Sequence, residues 1–202
     1  MTKRSLKVLL LLFVSTITIT KSTPIPPKLP YQFRQSFRMN NSKGTRISQG
    51  IVYYDWPSGQ QKIIHSSNSS QCHHWWGTYE PCTEYFTPTG KVWVHFPENN
   101  TCCLESCKEG CREQSTWLPR PDYVESTNFT GYEFVDGYNC TRWNSTMVSW
   151  FTKDGIPVLF GNGKKTGGIA VYSIHYNVSS FEPGPQDPSI FYLPKECKNN
   201  FC

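Results

Sequence analysis

The chain has 202 residues, of which 15% are aromatic and 17% charged, and its formal net charge is +5. Four of the basic residues, Lys3, Arg4, Lys7 and Lys21, precede residue 23, and the rest of the chain is close to neutral. The charge therefore gives no support for a nucleic-acid partner, and the length predicts one domain with a substantial core.

The first residues have the layout of a secretory signal. The basic residues Lys3, Arg4 and Lys7 precede an unbroken apolar run from Val8 to Val14, and a polar, proline-rich segment follows. This run is shorter than the ~20 apolar residues that a bilayer-spanning helix needs. We therefore predict a cleaved signal peptide over residues 1–22, with a signal anchor as the alternative, and a single domain over residues 23–202 that is secreted or lysosomal.

Glycosylation sequons support the same compartment. Seven Asn-x-Ser/Thr sites occur, more than chance predicts, and each site in use must face solvent. They are Asn40, Asn68, Asn99, Asn128, Asn139, Asn144 and Asn177. Asn139 is the weakest site, since Cys140 lies inside its sequon and an early disulfide there would hinder glycan transfer.

All nine cysteines follow the signal, and in an oxidising compartment they predict disulfides with one thiol left over. They are Cys72, Cys82, Cys102, Cys103, Cys107, Cys111, Cys140, Cys197 and Cys202. A zinc site in the Cys102–Cys111 cluster is disfavoured, because secreted thiols oxidise and the spacing is not that of paired zinc ligands. A disulfide-stapled, Cys-rich loop is the preferred interpretation.

Short strands separated by turn residues dominate the rest of the chain, which predicts an all-β antiparallel sandwich or half-barrel. Asp136-Gly137 and Asp154-Gly155 are typical hairpin turns. Leu104 to Gln114 is the one candidate helix. The predicted strands are Tyr31–Arg38, Arg46–Asp55, Gln61–His65, Glu84–Thr87, Lys91–Phe96, Gly131–Val135, Tyr138–Trp143, Thr146–Thr152, Ile156–Phe160 and Gly168–Val178.

The last of these strands has a predictable polarity. If Asn177 carries a glycan, Ser173 and His175 share its outward face, whereas Ile174 and Tyr176 point inward.

No motif for catalysis or metal binding is evident. His65, His95 and His175 are candidate bases, but no nucleophile is placed beside them by spacing. Gly161 to Gly168 departs from the phosphate-loop pattern and precedes a strand, and the adjacent His73 and His74 are poorly placed to share one ion. The sequence therefore predicts a non-enzymatic protein without a metal or cofactor.

The surplus of aromatic residues on strands has two interpretations. Core packing is the simpler one, and a hydrophobic pocket for an acyl chain is the functional one. The candidate pocket residues are Tyr54, Trp93, Trp150, Phe160, Tyr172 and Ile174.

The tail Asp187-Pro-Ser-Ile-Phe-Tyr-Leu-Pro-Lys-Glu-Cys197 resembles the closing motif of ependymin-related proteins, and Gly50–Asp55 resembles their first hairpin. Phe134–Cys140 also resembles a group of uncharacterised plant secreted proteins, some of them labelled glycosyltransferase-like. That label makes a carbohydrate-active enzyme a minor alternative, although the chain has no Asp-x-Asp motif.

The ependymin-related resemblance implies two stacked, curved antiparallel sheets around a lipid-binding pocket, as in lipoprotein carriers. It also implies homodimers, contact with anionic membranes and, as an alternative function, calcium-linked cell adhesion in the extracellular matrix. By the same analogy, Cys72 or Cys82 would pair with Cys197.

Overall fold

The computed structural model describes residues 23–40, 47–69, 71–73, 77–105, 118, 120–123, 127–144, 149–161 and 173–197, with the backbone alone described at residues 40 and 149–151. These residues are mostly β-strand, and two 3-10 turns, Val178–Ser180 and Pro188–Phe191, lie near the C-terminus. The strands are β1 (Gln32–Asn40), β2 (Ile47–Asp55), β3 (Gln60–His65), β4 (Cys82–Phe86), β5 (Val92–Phe96), β6 (Thr101–Leu104), β7 (Asn128–Val135), β8 (Tyr138–Asn144), β9 (Ser149–Lys153), β10 (Ile156–Gly161), β11 (Ser173–Tyr176) and β12 (Glu182–Pro183). Among these residues, no helix has the length and hydropathy of a membrane span.

All twelve strands belong to one antiparallel sheet with the order β6-β5-β4-β3-β2-β1-β11-β10-β9-β8-β7, and β12 also pairs with β1. The central strand β1 pairs with β2 from Gln32 to Asn40. Its other edge pairs first with β12, at Phe33 and Arg34, and then with β11, from Phe37 onward. The sheet therefore has two wings, β2–β6 and β7–β11, that meet at β1.

The predicted all-β, antiparallel architecture is confirmed. The prediction divided the strands between two sheets, whereas the described strands form one continuous sheet, because β1 is hydrogen-bonded along both edges. The short β6 and β12 were not predicted, and Leu104, the first residue of the candidate helix, ends β6. The predictions for residues 1–22, 106–114 and 162–172, and for Cys107, Cys111 and Cys202, lie outside the described residues.

One face of the sheet carries the main core. Phe33, Phe37 and Met39 alternate along β1 with more exposed residues, as expected for a strand with one buried face. Their partners in the core are Leu29, Val52, Tyr54, Ile63, Leu118, Trp143, Ile174 and Tyr176. Since Trp143 lies on β8 and Ile63 on β3, the two wings curl toward each other on this face.

The polarity of β11 agrees with the prediction: Ile174 and Tyr176 are only 1% and 3% exposed, and Ser173 and His175 are half-buried. Burial raises the pKa of the Tyr54 and Tyr176 phenols, so both remain protonated in the core.

Disulfides are present, as predicted. Cys72 pairs with Cys82, and Cys102 pairs with Cys197 across 95 residues of sequence. The pairing of Cys72 or Cys82 with Cys197, expected from the family resemblance, is therefore wrong. The reason is topological: Cys82 begins β4 beside the end of β3, so the connection that contains Cys72 returns to it.

The C-terminal tail is instead held by the wing β2–β6. The disulfide ties Cys197 to β6, and the Lys62 ammonium on β3 donates a hydrogen bond of 3.0 Å to the Ile190 carbonyl. Cys103 is also disulfide-bonded, and Cys140 is a buried free thiol.

We expect Gly50→Ala to destabilise the protein by about 3 kcal/mol, as overpacking does in a close-packed site. A Cβ at Gly50 would overlap the Phe37 ring and the Ile64 carbonyl oxygen, and the carbonyl belongs to the strand ladder. Urea unfolding measures the loss. Adding Phe37→Leu should make the cost of Gly50→Ala smaller, because the ring no longer lies against the new methyl group; a cost unchanged by Phe37→Leu would contradict this packing.

Candidate functional site

An open groove of about 720 Å³ lies beside the centre of the sheet, on the face opposite the main core. Four neighbouring strands, β3, β2, β1 and β11, form its floor, and the turn between β7 and β8 forms one wall. It is lined by residues 36–38 of β1, 49–51 of β2, Ile64 and Ser66 at the end of β3, Asp136 and Tyr138 of the β7–β8 hairpin, and residues 175–178 at the end of β11. Both wings of the sheet therefore contribute to one site.

Strand alternation explains which side chains face the groove. On β1, Ser36 and Arg38 point away from the core because Gln35, Phe37 and Met39 point into it. On β2 and β3, the directly opposed residues Ile51 and Ile64 place two half-buried branched side chains side by side. The groove thus has an apolar part on β2–β3 and a polar part around Arg38.

Asp136 anchors the wall of the groove. Its Oδ1 accepts a hydrogen bond of 2.8 Å from Arg38 Nη2, and its Oδ2 lies 2.7 Å from His175 Nδ1. Asp136 and Gly137 both have positive φ, 48° and 88°, which fits a two-residue hairpin turn between the paired residues Val135 and Tyr138. The turn holds the carboxylate over strands β1 and β11.

A serine completes this polar cluster. Ser173 and His175 share one face of β11, and Ser173 Oγ lies 3.2 Å from His175 Nε2. With the proton of the neutral imidazole on Nδ1, the ring donates to Asp136 and accepts from the Ser173 hydroxyl. The order of atoms is hydroxyl, imidazole and carboxylate, which is the order of a nucleophile, its general base and the residue that orients the base.

The predicted pocket residues lie elsewhere. Tyr54 and Ile174 are buried in the main core, Phe160 packs against that core, and Trp93 is buried in a separate cluster with Tyr85. The side chain of Trp150, and all of Tyr172, lie outside the described residues. None of the four described side chains lines the groove. Tyr54, Phe160 and Ile174 belong to the filled core face. Trp93 lies on the groove side of the sheet, but it is buried with Tyr85 beside the Cys102–Cys197 disulfide.

The other candidate histidines have different surroundings. His65 is fully buried and lies 2.9 Å from the buried Glu84 carboxylate. Burial lowers the pKa of His95 on β5. Within the ranges that the structure describes, no cluster of three or more His, Cys, Asp or Glu side chains is placed to hold a metal ion.

Sequence reasoning missed Arg38, Asp136 and Ser173. The alternation on β11 placed Ser173 beside His175, so this pair was within reach of the sequence. Asp136 was assigned to a turn, but its contacts with Arg38 and His175 span 98 and 39 residues of sequence. They depend on strand pairing that no local pattern encodes.

We expect Asp136→Asn to cost about 1–2 kcal/mol of stability, because asparagine preserves the turn but loses the charge-assisted contacts with Arg38 and His175. Asp154→Asn is the matched control. Asp154 has φ 51° in the same kind of Asp-Gly turn, but its carboxylate is 83% exposed and its ion pair is with the adjacent Lys153. Chemical denaturation and hydrogen exchange at residues 135–138 measure the loss of stability. Equal losses of unfolding free energy for both variants would show that the contacts of Asp136 with Arg38 and His175 contribute nothing.

Comparisons with known proteins give a fold and a family. Among solved structures, the chain is similar to an uncharacterized conserved protein from Thermus thermophilus, with 10% identity, a TM-score of 0.55, and coverage of 86% of this chain and 92% of that chain. At this identity the likeness concerns the fold alone. No curated protein matches the sequence significantly. The family model of a domain of unknown function, DUF8395, matches residues 28–181, which include the whole groove, and the chain therefore belongs to the DUF8395 family.

Proposed function

We propose that this protein is a secreted or lysosomal glycoprotein that binds a small amphipathic ligand, an acyl chain with a carboxylate or ester head group, in the groove. The observation that carries the proposal is the division of the groove into an apolar floor, Ile51 and Ile64, and a polar end, Arg38, Asp136 and His175. A volume of about 720 Å³ lies within the usual range for small-molecule sites.

The polar end suits an oxygen-rich head group. The Arg38 side chain is 51% exposed, and its contact with Asp136 uses one terminal nitrogen of a guanidinium that has five donor hydrogens. A carboxylate or ester carbonyl at this end accepts hydrogen bonds from Arg38. The Asp136 carboxylate offsets part of the guanidinium charge, so the site favours a neutral or singly charged head group over a doubly charged one such as a phosphate.

The apolar end suits a hydrocarbon chain. Ile51 and Ile64 lie side by side on the floor, and Tyr138 and Val178 contribute further apolar surface. Each methylene group that leaves water here contributes about 0.8 kcal/mol. A chain of several methylene groups therefore supplies most of the binding free energy, and the head group sets the orientation.

Several features support the secretory part of the proposal. Disulfides in an extracellular protein accord with the signal-like N-terminus. The asparagines of five sequons, Asn68, Asn99, Asn128, Asn139 and Asn177, are exposed. Cys140 is free, so no disulfide competes with a glycan at Asn139.

The resemblance to ependymin-related proteins supports lipid binding as well, although the groove lies on the face of the sheet opposite the curled one. Calcium-linked adhesion remains the alternative function, and the groove is the observation that favours ligand binding over it.

We expect the purified glycoprotein, with its glycans trimmed to single sugars because Asn177 borders the groove, to bind dodecanoate at micromolar concentrations in calorimetry. Ile51→Glu should weaken binding at least tenfold, since it removes apolar surface and places a carboxylate beside the chain. Ile47→Glu is the matched control: Ile47 lies on the same strand, is 59% exposed and is not one of the residues that line the groove. Absence of binding by the parent protein, or equal weakening by both variants, would overturn the proposal.

A further inference from the structure

We propose that Ser173, His175 and Asp136 form a hydrolytic relay that cleaves small acyl esters bound in the groove. This inference rests on the proposed function, because the groove supplies the acyl site, and goes beyond it, because the ligand is turned over. It also departs from the prediction of a non-enzymatic protein, which was made because residue spacing placed no nucleophile beside a histidine.

The distances and the connectivity carry the inference. Ser173 Oγ lies 3.2 Å from His175 Nε2, and His175 Nδ1 lies 2.7 Å from Asp136 Oδ2. The two contacts use different ring nitrogens, so one neutral tautomer satisfies both at once. Arg38 holds the second carboxylate oxygen at 2.8 Å, which fixes the direction in which Asp136 meets the imidazole.

The location of the relay is suited to a reaction on a bound ligand. The His175 and Asp136 side chains are 18% and 25% exposed and line the groove at its polar end. Ser173 lies two residues before His175 on the same face of β11, is half-buried, and adjoins the polar end of the groove without being one of its lining residues. The relay therefore requires that an ester whose chain lies over Ile51 and Ile64 extend its carbonyl group past His175 to Ser173.

The reaction is an acyl transfer in two steps. The Ser173 hydroxyl oxygen attacks the ester carbonyl carbon while His175 Nε2 takes its proton, and the tetrahedral intermediate expels the alcohol, which receives that proton from the imidazolium. Water then attacks the acyl-serine with His175 again as base, and the acid leaves as Ser173 regains its proton. No oxidant, reductant or metal ion takes part. Ser173 and His175 are the catalytic residues, and Asp136 is a positioning residue.

The test uses the full-length glycoprotein, with its glycans trimmed to single sugars as for calorimetry, together with p-nitrophenyl esters of two to twelve acyl carbons and a fluorophosphonate that labels activated serines. We expect saturable hydrolysis and labelling of the peptide that contains Ser173, identified by mass spectrometry. Ser173→Ala and His175→Gln should each lower kcat/KM at least 100-fold, the usual effect of losing a nucleophile or general base. Ser58→Ala, in the exposed turn between β2 and β3, is the matched serine control and should retain full activity.

Asp136 needs a test that separates positioning from turn formation. If the carboxylate orients His175, Asp136→Glu should keep more activity than Asp136→Asn. If Asp136 matters only for the turn, asparagine should be the better replacement, because it tolerates positive φ more readily than glutamate does.

Calorimetry with dodecanoate on Ser173→Ala distinguishes the two proposals. Unchanged binding together with lost hydrolysis supports both the groove and the relay. Binding by the parent protein without hydrolysis or serine labelling overturns the relay and leaves the binding function intact. Hydrolysis that persists in Ser173→Ala also overturns the relay, whereas serine-dependent hydrolysis without dodecanoate binding overturns the binding function alone.

Discussion

The exchange of partners along one edge of β1 is the constraint on which the architecture depends. β12 occupies this edge at Phe33 and Arg34, and β11 occupies it from Phe37 onward. In the interval between them, the Ser36 amide donates to Ser180 Oγ at 2.9 Å, and the Asn177 amide donates to the Ser36 carbonyl, also at 2.9 Å. The buried Gln35 amide nitrogen adds bonds to the carbonyls of Pro157 and Asn177. Polar groups thus bridge the gap and keep both wings in one sheet.

The pairing of β1 with both wings also gives the two faces of the sheet different side chains. Aromatic side chains from both wings fill the curled face, and their packing accounts for part of the aromatic surplus of the chain. The opposite face carries polar and branched side chains where the groove lies, and the aromatic Tyr53, Tyr85 and Trp93 farther along the wing β2–β6, because strand residues alternate between the two faces. Gly50 lets the Phe37 ring lie across β2, so a single small residue connects the packing of the core with the floor of the groove.

The sequence patterns correctly predicted those features of the fold that depend on residues close together in the chain. The alternating strands, the Asp-Gly turns and the polarity of Ile174 and Tyr176 against Ser173 and His175 all follow from neighbouring residues. The Cys102–Cys197 disulfide and the contact between Arg38 and Asp136 join residues that are 95 and 98 positions apart, and they depend on which strands become neighbours. The pocket was assigned to aromatic residues for the same reason: sequence alone could not show that the curled face is filled.

The two Asp-Gly turns show how tertiary position converts a local motif into a site. Asp136 and Asp154 have nearly the same φ, 48° and 51°, and each is followed by a glycine in the left-handed region. Either turn would form with asparagine, so turn geometry does not explain why a carboxylate is present. Asp154 extends into solvent, whereas Asp136 meets a guanidinium and an imidazole from the two central strands. Only at Asp136 does the negative charge make contacts between distant parts of the chain, and there the same carboxylate both fastens the hairpin over the groove and faces Nδ1 of His175. The stability of this hairpin and the proposed reaction therefore both depend on one pair of contacts.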